Sequence, residues 1–293
     1  MKITELIKQG QFIITAEVSP PKGCELGLLL RDAKEHLSGV TAINVTECQS
    51  SKMRMSSLAA CVALKSKGFN PIWQLTCRDR NRIALQSELL GAAALGIENL
   101  LLLTGDHTLL GDHPQAKPVF DLDSVSLIHA VRQLEMGVDL GGNALIGEPP
   151  KFAKGAVVAP CADSIDAQLF KMEKKVKAGA EFFQTQAIFE SEKFIRFMDR
   201  AKQFGVPVIL GLIIPKSVRQ LRFLRDNLAG ISIPQEMVDE LGADEDKAKS
   251  GVTGVEIIAR LIKECRDHCQ GAHIMAFGWE AKIPAVLELI IEN

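Results

Sequence analysis

Short apolar, β-branched runs alternate with longer amphipathic stretches along this chain, and that alternation restricts the fold more than any other feature. The runs read as strands over 12–18 (FIITAEV), 42–47 (AINVTE), 71–77 (PIWQLTC), 99–104 (NLLLLT), 155–159 (GAVVA), 182–186 (FFQTQ), 207–214 (PVILGLII) and 273–277 (HIMAF). Helical patterns lie between them at 53–67, 80–95, 123–136, 163–178, 190–203 and 216–228. Asp163 or Ser164 can cap the fourth of these and Gly179 can close it, while Gly68 and Gly205 follow two others. Strands that are apolar almost throughout are buried on both faces, which means a parallel sheet covered by helices. Eight of them in strict alternation predict a single-domain α/β fold, a (β/α)8 barrel, and 293 residues suffice for one. An open doubly wound sheet is the alternative, although no strand is followed by G-x-G-x-x-G or a Walker loop. Two insertions are expected: 137–154, as a small hairpin, and a polar, solvated stretch within 230–252.

The strand ends carry the functional signal. Strand one closes on Glu17, strand two on Thr46–Glu47, and strand three on Gln74 to Cys77. Strand four runs into Thr104–Gly105–Asp106, strand six carries Gln184 and Gln186, and strand eight leads to Phe277–Gly278–Trp279. In a barrel these tips converge on one mouth, where the chemistry is done. A carboxyl group held partly out of water favours its protonated form, which suits proton donation near neutral pH. Glu17 is the candidate; pairing with a Lys or Arg at the rim is the competing reading. Asp106 reads equally as a turn cap and Gln186 as a barrel filler. Arg78, Arg80 and Arg82 follow strand three and could approach a phosphate, or form a solvated first helical turn.

Charge and composition exclude some classes. A net charge of −2 gives no electrostatic case for nucleic acid or an anionic membrane. No apolar run is long enough for a membrane span, and the N-terminal stretch carries Glu5 with no signal-like core, so a cytoplasmic location is expected. Seven scattered cysteines read as reduced thiols. Cys265, Cys269 and His273 recur every four residues, but Gly271 is expected to end a helix between them. Core thiols are the expected reading, and no metal site is assigned.

The stretches AEVSPPKG, NVTECQ, QLTCRDRNR, LLTGDH, GDHPQAKPVFDLDSV, GAVVAPCAD, KKVKAGAEFFQTQ and HIMAFGWE, in this order at the strand ends, resemble the methylenetetrahydrofolate reductases. The likeness covers nearly the whole chain and looks closest to the branch of acetogens and other anaerobes. It implies a flavin-dependent barrel that reduces 5,10-methylenetetrahydrofolate to 5-methyltetrahydrofolate in one-carbon metabolism. By resemblance, Glu17 is the acid that opens the five-membered ring to an iminium, and Asp106 stands beside the flavin and the pterin. Gln186 bonds the folate and Trp279 lies near its tail. Thr46, Gln74, Thr104, Gly105, Asp121, Val157, Val158, Ala159, Gln168, Lys171 and Lys175 fall on the flavin side.

This chain has Gln74, Thr104, Ala159 and Trp279 where the well-known bacterial branch has histidine, arginine, tyrosine and arginine. The flavin form therefore stays open between FAD and FMN, and the donor between NAD(P)H and another reduced carrier. Relatives in the anaerobe branch act with a smaller zinc- or iron–sulfur-containing subunit, so such a partner is an implied option, as is a homo-oligomer. A flavin-free folate methyltransferase, or a barrel that docks a redox partner, is the alternative function.

Overall fold

A computed structural model describes residues 1–228 and 230–291. Eight parallel strands close a barrel in sequence order: β1 (Ile13–Val18), β2 (Ala42–Val45), β3 (Pro71–Thr76), β4 (Asn99–Leu103), β5 (Ala153–Val158), β6 (Phe182–Ala187), β7 (Val208–Ile213) and β8 (Gly271–Met275). Pairing of β1 with β8, Thr15 opposite His273, shuts the ring. The open-sheet alternative is thereby excluded.

The six helical patterns are all present, five of them trimmed at both ends and the fourth at its start only: Ser57–Ser66, Arg82–Ala94, Ser124–Glu135, Ile165–Ala178, Ser191–Ala201 and Val218–Asn227. Ser164 caps the fourth, accepting from Ala167 N–H, and Gly179 closes it. The segment 230–252 differs from expectation. Its polar residues belong to two helices, Gln235–Gly242 and Glu245–Ser250, which bury Leu241 and Ala248. An amphipathic helix shows charge on one face only, so a sequence dominated by that face reads as solvated. In 137–154 the hairpin reduces to one antiparallel bridge, Val138 with Ala144.

Gly271 does not stop a helix as expected; it opens β8. The preceding helix ends at Cys265, and Cys269 is already extended, so the two cysteines share no helix face. Burial pushes the Cys265 thiol up to about 12 and the Cys269 thiol up to about 11, which disfavours the thiolate a metal needs. Both behave as core thiols.

The barrel interior is layered along its axis. Ile13, Ala42, Ile72, Leu101, Ala153, Phe182 and Ile209 form an apolar floor, and Ile3 of the N-terminal helix Ile3–Lys8 packs into it from below. Phe182 reaches across to Gly155, where a Cβ would stand 2.2 Å from its ring. Side chains alternate across a strand, so two residues further along each strand the interior faces the mouth. There it turns polar: Thr15, Asn44, Gln184 and His273 replace the aliphatic floor.

Candidate active site

Above that polar layer lies a cavity of about 430 Å³ at the C-terminal ends of the strands. Twelve of the fifteen positions singled out in the sequence line it: Glu17, Gln74, Thr104, Gly105, Asp106, Val157, Val158, Ala159, Gln168, Lys171, Lys175 and Gln186. Thr46, Asp121 and Trp279 do not. Thr46 is buried beside Ser19, with the two hydroxyls 3.0 Å apart. Asp121 faces Arg82, accepting from Nε and Nη2 at 2.9 Å and from the backbone N–H at 2.8 Å, an interaction that holds its carboxyl down to about 2. Trp279 packs on the core with Lys216 Nζ 5.1 Å from its ring centroid.

Among the described residues, Glu17 meets neither a lysine nor an arginine. Gln49 Nε2 donates to its Oε1 at 3.1 Å, Gln74 Nε2 donates to Oε2 at 3.3 Å, and His273 Nε2 lies 3.6 Å from Oε2. Its side chain is 11% exposed, open to the cavity on one side. The rim ion pair considered from the sequence belongs instead to Glu47. Arg80 donates to both its oxygens at 2.7 and 3.1 Å, while Thr76 N–H, Thr76 Oγ1 and Ser57 Oγ add bonds at 2.6, 2.9 and 3.2 Å. The sequence does not show this role of Glu47, because its partners come from the helix Ser57–Ser66, from the end of β3 and from the loop that follows β3.

The other two arginines after β3 are also committed to carboxylates, Arg78 to Asp79 and Arg82 to Asp121. None of the three stands as a free phosphate ligand. Besides Arg78, the cavity is lined by two cations of the helix Ile165–Ala178. Lys171 is exposed there, and Lys175 donates to Val157 O at 2.7 Å. Burial, reinforced by Lys171, brings Lys175 down to about 8. Gln168 on the same face accepts from Ala159 N–H at 3.3 Å.

On the opposite wall Gly105 holds φ +93, with Thr76 Cβ only 3.0 Å from where its own Cβ would stand. That left-handed turn swings the exposed Asp106 to the cavity edge. Asp106 does not cap the short helical turn that follows; His107 does, accepting from Leu109 N–H. Gln186 reaches the cavity through an irregularity between β6 and β7, where the register shifts between Gln184 and Ala187. Thr185 patches the break by accepting from Gly211 N–H and donating to Gln186 O.

Below Glu17 the layer of Thr15, Asn44, Gln184 and His273 is closed to solvent. Among the described residues, Asn44 Oδ1 and Gln184 Nε2 are its buried polar atoms without a partner. Each unpaired group costs about 1–3 kcal/mol, so this layer is maintained at the expense of stability. His273, weighed in the sequence only as a metal ligand, is an inward barrel residue. The alternation in GAHIMAF, with His273 and Met275 on one face and Ala272, Ile274 and Ala276 on the other, is the signal that would have found it.

Fold and site together define a class: a (β/α)8 barrel whose cavity offers a carboxylic acid among neutral amides, a second carboxylate across the opening, and a lysine-bearing helix for an anionic group. The chain belongs to the methylenetetrahydrofolate reductase family, whose sequence model matches residues 2–290, and is an oxidoreductase of that family. It is 26% identical to the 5,10-methylenetetrahydrofolate reductases of Salmonella typhimurium and Escherichia coli, over 87% of this chain and 82% of each. It is 28% identical to methylenetetrahydrofolate reductase 2 of Schizosaccharomyces pombe over 73% of this chain, and that match spans only 34% of the yeast protein. Among solved structures, a Clostridium thermocellum protein described as binding two copies of 5-methyl-5,6,7,8-tetrahydrofolic acid superimposes with a TM-score of 0.66. At 16% identity, over 99% of this chain and 98% of that one, it establishes the shared fold. A 2,3-dimethylmalate lyase matches at 0.54 with 12% identity, over 99% of this chain and 83% of its own, a reminder that the barrel alone does not set the chemistry. No helix among the described residues is long and apolar enough to cross a membrane.

Proposed function

We propose that this chain reduces 5,10-methylenetetrahydrofolate to 5-methyltetrahydrofolate with a flavin, FAD or FMN, held across the barrel mouth. The observation that carries this reading is the convergence of Glu17, Asp106 and Gln186 on one cavity in a chain of this family. The residues fit a flavin. Leu101, Leu103, Val157 and Met275 give apolar wall for a ring system, and Lys171 and Lys175 supply cations for a phosphate. A bound flavin supplies the hydride, and the protein supplies orientation and electrostatics.

Glu17 gives its proton to N10 of the bridged folate, the ring opens to an iminium at the transferred carbon, and hydride capture yields the methyl group. Asp106 would hold the polar edge of the pterin and border the bound flavin, and Gln186, without a side-chain partner among the described residues, would bond the folate. Thr46, Gln74, Thr104, Gly105, Val157, Val158, Ala159, Gln168, Lys171 and Lys175 form the cofactor side. Asp121 contributes there by fixing Arg82 at the start of its helix, and Trp279 stacks near the folate tail.

The reading extends to a chain of the anaerobe-type branch, cytoplasmic, with its segments 137–154 and 230–252 as insertions in one barrel. Electrons come from NAD(P)H or another reduced carrier, directly or through a smaller zinc- or iron–sulfur-containing subunit, and a homo-oligomer is the alternative assembly. Purified protein is expected to be yellow, absorbing near about 450 nm, with the chromophore released on denaturation. Colourless protein that neither FMN nor FAD reconstitutes contradicts the reading and points to a flavin-free methyltransferase.

A further inference from the structure

His273 has no part in the chemistry above, yet the barrel builds a complete setting for it. The ring is 4% exposed and lies in the closed polar layer directly beneath Glu17. Its Nδ1 is 2.9 Å from Thr15 Oγ1 and 3.1 Å from Asn44 Nδ2; the same amide nitrogen donates to Gln184 Oε1 at 2.8 Å. That amide nitrogen also stands 3.3 Å from Nε2, and the Thr15 hydroxyl can donate or accept, so it is the carboxylate that assigns the hydrogen. Nε2 is the ring atom facing Glu17, 3.6 Å from Oε2. An ionised carboxylate accepts only, so the ring atom facing it must be the protonated one.

The two oxygens of Glu17 therefore differ. Among the described residues, Oε2 faces two donors, Gln74 Nε2 and His273 Nε2, and Oε1 faces Gln49 alone. Gln49 sits on a loop that holds Cys48, Ser50 and Ser51 at φ values of 42, 53 and 56, backbone that non-glycine residues rarely adopt. We propose that His273 is a positioning residue for the Glu17 acid: with Gln74 it occupies Oε2 from below, and so places the transferable proton on Oε1, the oxygen covered by the Gln49 loop. The Nε2–H dipole, 3.6 Å away, also favours the carboxylate left once the proton has gone. This inference rests on Glu17 acting as the acid.

The other charged or titratable side chains on the cavity come from the neighbouring elements. They are Glu47 after β2, held by Arg80; Cys48 beside it; Arg78 after β3, held by Asp79; Asp106 after β4; and Lys171 and Lys175 on the helix after β5. From β6 the facing groups are the neutral Gln184 and Gln186, and β7 presents Gly211 opposite His273.

Holoprotein with ¹⁵N-labelled histidine tests the tautomer, and His273→Gln identifies the signal among six histidines. The expected spectrum shows Nε2 protonated and Nδ1 bare, with the Nε2–H resonance shifted by Glu17→Gln; Nδ1–H in the native protein overturns the inference. In rapid kinetics, His273→Leu is expected to slow folate reduction between about tenfold and a hundredfold. It also moves the alkaline limb of the pH–rate profile to higher pH, since a carboxylate without this donor keeps its proton longer. His273→Gln, which retains a donor, recovers most of both, whereas a merely structural ring would move protein stability and leave the limb in place.

Should His273→Leu fail to fold, Asn44→Asp substitutes an acceptor opposite Nδ1, draws the hydrogen there and bares Nε2 toward Glu17. The same loss is expected with the ring intact. Full folate activity in Glu17→Gln defeats the acid role and this inference with it. An inactive Glu17→Gln beside an unmoved limb in His273→Leu and Asn44→Asp defeats the inference alone.

Discussion

Glu17 and Glu47 stand at the ends of adjacent strands and line the same cavity, but their surroundings are opposite. Glu47 is 6% exposed and accepts from a forked guanidinium, a backbone N–H and two hydroxyls. That set satisfies an ionised carboxylate fully and ties β2 to β3 and to the helix Ser57–Ser66. Glu17 accepts from two neutral amides and approaches a histidine, with one side open. Arg80 fixes Glu47 in place through two charge-assisted bonds, whereas neutral amides leave Glu17 facing the cavity. The same residue type thus serves as a brace in one place and as an acid in the other, and the neighbours decide which.

Substitution separates the two glutamates. Glu17→Gln should lower folate turnover by about 10²–10⁴-fold, the range general-acid catalysis contributes, with the urea midpoint unmoved. Glu47→Gln should do the reverse. Removing one partner of a buried pair strands Arg80, and urea unfolding should show a loss of about 2–4 kcal/mol, with Glu17 chemistry reduced only as far as the rim relaxes.

A smaller effect is expected on the cation side. Lys175 is charged below about 8 and neutral above it, so its attraction for an anionic phosphate is present at pH 7 and lost by pH 9. Flavin affinity, measured by fluorescence titration, should weaken about tenfold across that window, and Lys175→Met should flatten the dependence. The smallest effect is expected at Asp121. Its pair with Arg82 lies outside the cavity and is exposed to solvent, so Asp121→Asn should change the flavin dissociation constant by no more than about twofold.

What the sequence made legible was whatever short-range pattern encodes. The eight strands are visible because burial on both faces leaves continuous apolar runs, and each begins and ends within two residues of expectation. The strand tips placed Glu17, Asp106 and Gln186 at one mouth for the same reason. The difference between Glu17 and Glu47 was not legible, since it depends on Arg80 and Ser57, which arrive from 33 and 10 residues further along the chain. His273 was obscured by two cysteines at suggestive spacing, and Gly271 by its usual meaning as a helix stop. The helices within 230–252 were hidden by their charged faces, which reveal nothing of Leu241 beneath.

The division of labour between the two glutamates is tested most directly by separating the half-reactions of Glu17→Gln under anaerobic conditions. The flavin of the variant should be bleached by an artificial reductant as fast as that of the native protein. On mixing with methylenetetrahydrofolate, its reoxidation should then fall by two or more orders of magnitude, as expected for loss of the general acid. Reoxidation at the native rate would contradict the account, because the proton would then come from elsewhere and Glu17 would be a second brace.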